Sequence, residues 1–198
     1  MRFFTDWPGP SASVRVGLEP EDYEESWGEI PGYADHKEQQ MLGTVPDAGG
    51  HLKLIQGSRM RDLIQGVEPW MYFLTERAVT VFQECQFTGC RFVRYTVEGL
   101  PNGESALYRL IITGRCGAIV SAYDLDRQRK LISMDTSSTN FLKIDTWDGS
   151  DFFLPQPRKG GWYFTKRVAQ TIKKHKLAFG TKELLWTDQT AFDALFEK

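Results

Sequence analysis

Cysteine is scarce in this chain. Three residues among 198, Cys85, Cys90 and Cys116, are too few and odd in number for a disulfide framework, and fit reduced thiols in a cytoplasm. Cys85 and Cys90 stand close enough to suggest half of a zinc site, but no second Cys/His pair follows, so structural thiols are the expectation. Long apolar runs are missing too. Nothing approaches the roughly 18 consecutive apolar residues of a membrane span. Met1 to Pro10 lacks the charged, apolar and small-residue regions of a secretory signal and carries Trp7-Pro8-Gly9-Pro10 instead. The expectation is a cytoplasmic protein with no membrane partner.

Charge of one sign is nearly absent overall, with a net of −2, but its distribution is uneven. Residues 1–50 hold ten acids and three bases; residues 51–198 hold sixteen acids and twenty-one bases. Such asymmetry sets up a field that can steer association with a charged partner. Aromatics make up 13%, with six Trp, enough for an interface as well as a core. A chain of this length can bury a full core without disulfides or metals.

Residues 1–50 are punctuated by Pro8, Pro10, Pro20, Pro31 and Pro46 and by seven glycines, which leave no room for long periodic elements. Phe3-Phe4 and Val14-Arg15-Val16 are candidate strands, and Glu21 to Trp27 one or two helical turns. From His51 the chain becomes regular. Strands are expected at Leu52–Ile55, Met71–Leu74, Arg91–Val97, Leu107–Ile112, Gly117–Tyr123, Lys130–Met134, Phe141–Ile144, Trp162–Phe164 and Thr181–Trp186. Helices are expected at Arg59–Gln65, from Ala78 to Cys85, at Val168–Lys176 and at Thr187–Lys198. Pro101-Asn102-Gly103 is a hairpin turn signal. The fold class is α+β: a mainly antiparallel sheet and an irregular acidic arm over residues 1–50, with an α+β domain over 51–198, together one globular unit.

One pattern occurs twice. Tyr72-Phe73-Leu74-Thr75-Glu76-Arg77-Ala78 matches Trp162-Tyr163-Phe164-Thr165-Lys166-Arg167-Val168 at an offset of ninety. Each copy runs an apolar strand into Thr-x-Arg, then a helix, then Gly89 or Gly180 and a returning strand. The threonine offers a hydroxyl to the free N–H groups of the first helical turn, and the glycine can reverse the chain. This duplicated strand–helix–strand element reads as scaffold.

The same residues carry a resemblance. Asp151-Phe152-Phe153, a loop, Trp162 to Val168, a helix and Gly180 before a strand resemble the C-terminal signature of the Imm11-type immunity proteins of bacterial polymorphic toxin systems. Phe73–Val93 is similar to that family's internal strand–helix–Gly–strand, and Ala118–Leu125 to its central strand. The resemblance spans roughly residues 70–186. It implies a cytoplasmic immunity protein that binds and neutralises a cognate secreted toxin, and it brings no catalytic residues.

The residues themselves offer little chemistry. Asp35-His36 is an adjacent loop pair, His51 follows two glycines, and His175 sits in Lys173-Lys174-His175-Lys176, where cations complement a helix C-terminus. Asp145, Asp148 and Asp151 are spaced by three, unlike a calcium loop, and read as a polar turn; so does Asp124-x-Asp126. Ser137-Ser138 lacks the glycines of a nucleophile elbow. Residues 158–182 hold eight bases and no acid around Trp162 and Tyr163, a composition that can bind single strands. However, at least one of those aromatics should face the core, and a pI near 6 argues against nucleic acid.

The acidic arm is the best interface candidate. Glu21, Asp22, Tyr23, Glu24, Glu25 and Trp27 set aromatic anchors among carboxylates, which suits a basic protein partner. The expectation is a non-enzymatic, toxin-binding protein without cofactor. The alternative is a small hydrolase or other enzyme built from scattered His and Asp residues.

Overall fold

A computed structural model describes residues 3–6, 15–17, 49–66, 71–117, 119–121, 140–142, 146–155, 162–179 and 181–184. Strands and helices are numbered along the chain. Six strands close into a small barrel in the order β2 (Arg15–Gly17), β3 (His51–Gln56), β6 (Cys90–Glu98), β7 (Ala106–Ile112), β5 (Tyr72–Leu74) and β4 (Leu63–Gly66). Five more form a sheet in the order β13 (Thr181–Leu184), β1 (Phe3–Asp6), β12 (Tyr163–Thr165), β11 (Phe152–Pro155) and β8 (Gly114–Cys116). A short ribbon pairs β9 (Ile119–Ser121) with β10 (Asn140–Leu142). Helix α1 (Glu76–Glu84) follows β5, and α2 (Lys166–Lys174) follows β12. The chain is thus mixed α+β and mostly sheet.

The two sheets share one strand plan. In the barrel β4 runs parallel to β2 and antiparallel to β5, and β7 is antiparallel to both β5 and β6. In the other sheet β11 runs parallel to β8 and antiparallel to β12, and β1 is antiparallel to both β12 and β13. The barrel adds β3, antiparallel to β2 and parallel to β6, which closes it.

Side chains alternate across each central strand because successive residues point to opposite faces. On β5, Leu74 joins a core that also holds Phe82 of α1, Phe152, Phe164, Val168 and Ile172, with Tyr72 packed against it. Phe73 points the other way, into the barrel with Leu52, Ile64, Tyr95, Val97 and Leu107. On β12, Trp162 and Phe164 face the shared core, while Tyr163 stacks on Phe153 on the opposite face, centroids 6.1 Å apart. Tyr72 and Trp162, which correspond at the ninety-residue offset, meet edge to face at 5.6 Å and 76°. Phe82 is 1% exposed and its ring lies 5.4–5.7 Å from those of Phe152, Phe87 and Phe179. Truncating such a residue costs about 3–5 kcal/mol.

Three sequence expectations change. Arg59–Gln65 is not a helix: Leu63–Gly66 is β4, with Leu63 and Ile64 buried and paired to Leu74 and Phe73. Pairing and burial on both faces override the local helix-forming composition. Helix α1 stops at Glu84, well before Gly89, because Gln86 adopts a left-handed φ of 53° and ends it. Gly89 serves close packing instead, since a Cβ there would collide with the Phe152 carbonyl and Ser150. Finally, Phe152–Pro155, for which the sequence predicts no element, is the buried strand β11. Lys130–Met134 and Thr187–Lys198 lie outside the described residues, as do Glu21–Trp27 and Gly180.

Candidate functional site

The most organised polar groups lie where β5 and β12 run into their helices. At the first junction Asp62, 5% exposed, precedes β4 and faces Thr75 across the end of the β4–β5 ladder. The Thr75 hydroxyl donates to Asp62 Oδ1 at 2.8 Å, and the Thr75 N–H donates to the Asp62 carbonyl at 3.2 Å. Arg77, in the first turn of α1, donates through Nη1 to Asp62 Oδ2 at 3.3 Å. Its Nη2 crosses to the far half of the molecule and donates at 2.6 Å to the carbonyl of His175, the residue capping the C-terminus of α2. The Ala178 N–H also donates to Asp62 Oδ2, at 2.7 Å.

The second junction repeats this set. The Thr165 hydroxyl donates to Asp151 Oδ1 at 3.0 Å, and its N–H to the Asp151 carbonyl at 3.0 Å. Arg167 Nη1 donates to Asp151 Oδ2 at 2.8 Å, while Nη2 crosses to the carbonyl of Cys85, the C-cap of α1. The Thr88 N–H donates to Asp151 Oδ2 at 3.2 Å. Each arginine therefore holds its own strand–helix corner with one nitrogen and the other helix's C-terminal carbonyl with another. Both acceptor carbonyls carry the negative end of a helix dipole, so a cation there is favourable. The left-handed residues after the two caps, Gln86 and Lys176, correspond as well, with φ of 53° and 51°.

Both oxygens of each carboxylate are engaged. Each buried Asp takes a hydroxyl, a guanidinium and a backbone N–H, a use that fixes geometry. A general base needs an oxygen facing a substrate proton. Beside the first clamp lies a polar cleft of about 640 Å³, lined by Arg61, Arg77, Glu76, Arg94, Glu104 and Tyr108 among others. Tyr108 donates to Glu76 there at 3.4 Å. Its charges are of both signs.

Most of the residues singled out by sequence lie outside the described ones. Glu21, Asp22, Tyr23, Glu24, Glu25, Trp27, His36, Ser137, Ser138, Asp124, Asp126 and Asp145 lie outside the described residues. His51 is exposed; Nδ1 is 3.0 Å from the Thr96 hydroxyl and Nε2 is 3.8 Å from Glu98. His175 caps α2, as its basic setting indicated. Asp148 and Asp151 serve separate tasks rather than one cation: Asp148 accepts from the Arg115 N–H at 2.7 Å and from the Ser150 N–H at 3.0 Å. Burial pushes the Asp148 carboxyl up, but the Ser150 and Arg115 hydrogen bonds and the Arg115 charge outweigh it and hold it below the usual carboxylate range. Among the described residues, no three His, Cys, Asp or Glu side chains gather to hold a metal ion.

Cys116 is buried; Cys85 and Cys90 are half-buried, less enclosed than structural thiols were expected to be. Burial, with the Asp151 charge, pushes the Cys90 thiol up to about 12, so it stays protonated and is a poor thiolate ligand. Trp162 and Tyr163 are both buried, which removes the aromatic half of a single-strand-binding surface. Burial also pushes the Tyr163 phenol up to about 12. No helix among the described residues is long and apolar enough to cross a membrane. No protein-family model matches the chain, and neither does any characterised protein.

Asp62 was missed by sequence reasoning, and Asp151 was read there only as part of a polar turn. The signal was present: Asp62-Leu63-Ile64 and Asp151-Phe152-Phe153 place an acid before an apolar pair at nearly the same offset as the Thr-x-Arg copies.

Proposed function

We propose that this protein is a cytoplasmic immunity protein that binds and neutralises a cognate secreted bacterial toxin, on a scaffold made of a duplicated strand–helix–strand element. The observation that carries the reading is the use of the Thr-x-Arg residues. Thr75, Arg77, Thr165 and Arg167 carry much of the family resemblance, and all four are spent on the two corner clamps. What the resemblance transfers is therefore a scaffold, and function belongs to residues outside the repeat. The matching strand plan and matching bonds support reading the element as duplicated, with β1 and β2 built into the two sheets and the acidic stretch Glu21–Trp27 as an insertion between β2 and β3.

Glu21, Asp22, Tyr23, Glu24, Glu25 and Trp27 form the partner contact in this reading, with carboxylates steering a basic toxin and Tyr23 and Trp27 anchoring it. No catalysis, cofactor, nucleic acid or membrane enters. The test is co-purification of the full chain with the product of the adjacent gene, and protection of cells that express that product. Trp27→Ala and Glu24→Lys should each weaken the complex at least tenfold while leaving the thermal melt in place. Absence of both binding and protection would overturn the reading. Unchanged affinity in both variants would move the contact away from the arm.

A further inference from the structure

We propose that the outer faces of α1 and α2 bind the same two faces of a second copy of this chain, α1 against α2, in a weak dimer governed by charge. The inference starts from a match between the helices. Their exposed positions are the same at the ninety-residue offset. Arg77 and Arg167 are taken up by the corner clamps. What remains on α1 is Glu76, Thr80, Gln83 and Glu84. On α2 it is Lys166, Gln170, Lys173 and Lys174. The two faces correspond in position and oppose in sign.

Neither packing nor helix electrostatics accounts for these signs. The faces lie opposite the buried sides of the helices, Ala78, Val81 and Phe82 on α1 and Val168 and Ile172 on α2. The same corner is thus built with acid outside it in one half and base in the other. A helix favours acid at its N-terminus and base at its C-terminus. Glu76 and Lys174 obey that rule, but Glu84 ends α1 and Lys166 begins α2, each the wrong sign for its place. Among the described residues none of these four forms an ion pair.

The placement of the helices makes the faces self-complementary. Arg77 reaches from the first turn of α1 to the carbonyl of His175 at the end of α2, and Arg167 reaches from the first turn of α2 to that of Cys85 at the end of α1. The helices therefore lie side by side and antiparallel over one core. A twofold axis parallel to them brings α1 of each copy onto α2 of the other. Glu76 then meets Lys174 of the second copy, Glu84 meets its Lys166, and the symmetry makes each contact twice. The spacing agrees, since both pairs are separated along their helix by about 12 Å. An axis across the helices would instead set α1 on α1, acid against acid. Exposed ion pairs are individually weak and screened by salt, and two short helices cover less than a standard interface, so the association is reversible and salt-dependent.

Sedimentation of the full chain up to millimolar concentration tests this. The expected result is a dimer at low salt whose association constant falls at least tenfold when salt is raised to about 0.5 M. Glu76→Lys should weaken it at least tenfold with an unchanged melt. Adding Lys174→Glu to that variant should restore the dimer, because those positions face each other. Adding Lys166→Glu should not. A chain that stays monomeric at low salt overturns the proposal, and so does a dimer indifferent to salt and to Glu76→Lys. Equal rescue by Lys166→Glu and Lys174→Glu overturns the twofold geometry on which it rests. No toxin takes part in these measurements, so their failure is distinct from failure of the functional reading.

Discussion

Asp62 and Asp151 meet the same need in the two halves with different surroundings. In the first half Thr75 both donates to Asp62 and accepts from the Ala78 N–H at 3.4 Å, so the hydroxyl caps α1 directly. In the second half Thr165 donates to Asp151 and makes no side-chain cap bond to α2. The second clamp is reinforced elsewhere. The Thr88 hydroxyl as well as its N–H reaches Asp151, and the Arg167 guanidinium lies 4.8 Å above the Phe87 ring. At the position corresponding to Phe87, after α2 and beside the first clamp, the residue is Leu177. A helix start can thus be fixed through its own cap or through a carboxylate held from outside. The difference teaches that the Asp–Thr–Arg set is the constant part and the cap bond the dispensable one.

The largest test of that comparison removes the carboxylates. Asp62→Ala and Asp151→Ala should each cost about 2 kcal/mol, because each strands a buried threonine hydroxyl, together with a part-buried N–H and a half-exposed guanidinium that water can partly satisfy. Denaturant midpoints should fall further for Asp151→Ala, since it has more donors. The reverse order would break the comparison. Next come the arginines. Arg167→Gln should cost about 0.5–1 kcal/mol more than Arg77→Gln, the worth of a partly exposed cation–π contact. Thermal melts of both variants in a Phe87→Leu background should erase the difference.

Smaller still is the threonine pair. Thr75→Ala should lose about 1 kcal/mol more than Thr165→Ala, the usual value of an N-cap bond, read by chemical denaturation. Equal losses would mean that the long Ala78 bond contributes nothing. The smallest effect is one of pH. Asp148's carboxyl is held below its ordinary range in the fold, so its contribution is present above the unfolded value of about 4 and is lost as pH falls through the lowered one. Asp148→Asn should therefore trail the parent by a constant margin from neutral pH down to about 5, and the gap should shrink below about 4. A margin unchanged into the acid limb would show that Asp148 contributes only shape.

Much of this was legible in the chain. Alternation and turn chemistry placed β3, β6 and β7, and the Pro101-Asn102-Gly103 signal placed the hairpin between the last two. The ninety-residue offset brought Thr75 and Thr165 forward as helix starts, and both occupy the N-cap position. What could not be read was contact across the molecule. Leu63-Ile64-Gln65 has no local preference strong enough to announce β4, because its strand character comes from Leu74 and Phe73 opposite it. Likewise Asp151 sat in a run of regularly spaced acids that suggested a local turn or cation loop, while its partners are Thr88, Thr165 and Arg167. The reach of each arginine to the opposite helix's last carbonyl has no sequence mark, since it depends on how two distant corners face one another. The acidic stretch Glu21–Trp27 lies outside the described residues.

The contact between Tyr72 and Trp162 carries a consequence for any molecule built this way. These residues hold matching positions at the ninety-residue offset and touch each other directly. An edge-to-face pair cannot obey a twofold axis, because one ring must offer its rim while the other offers its face. A protein with identical halves would have to choose another packing at its centre. Tyrosine and tryptophan at this point make the two strand–helix stretches inequivalent where they touch.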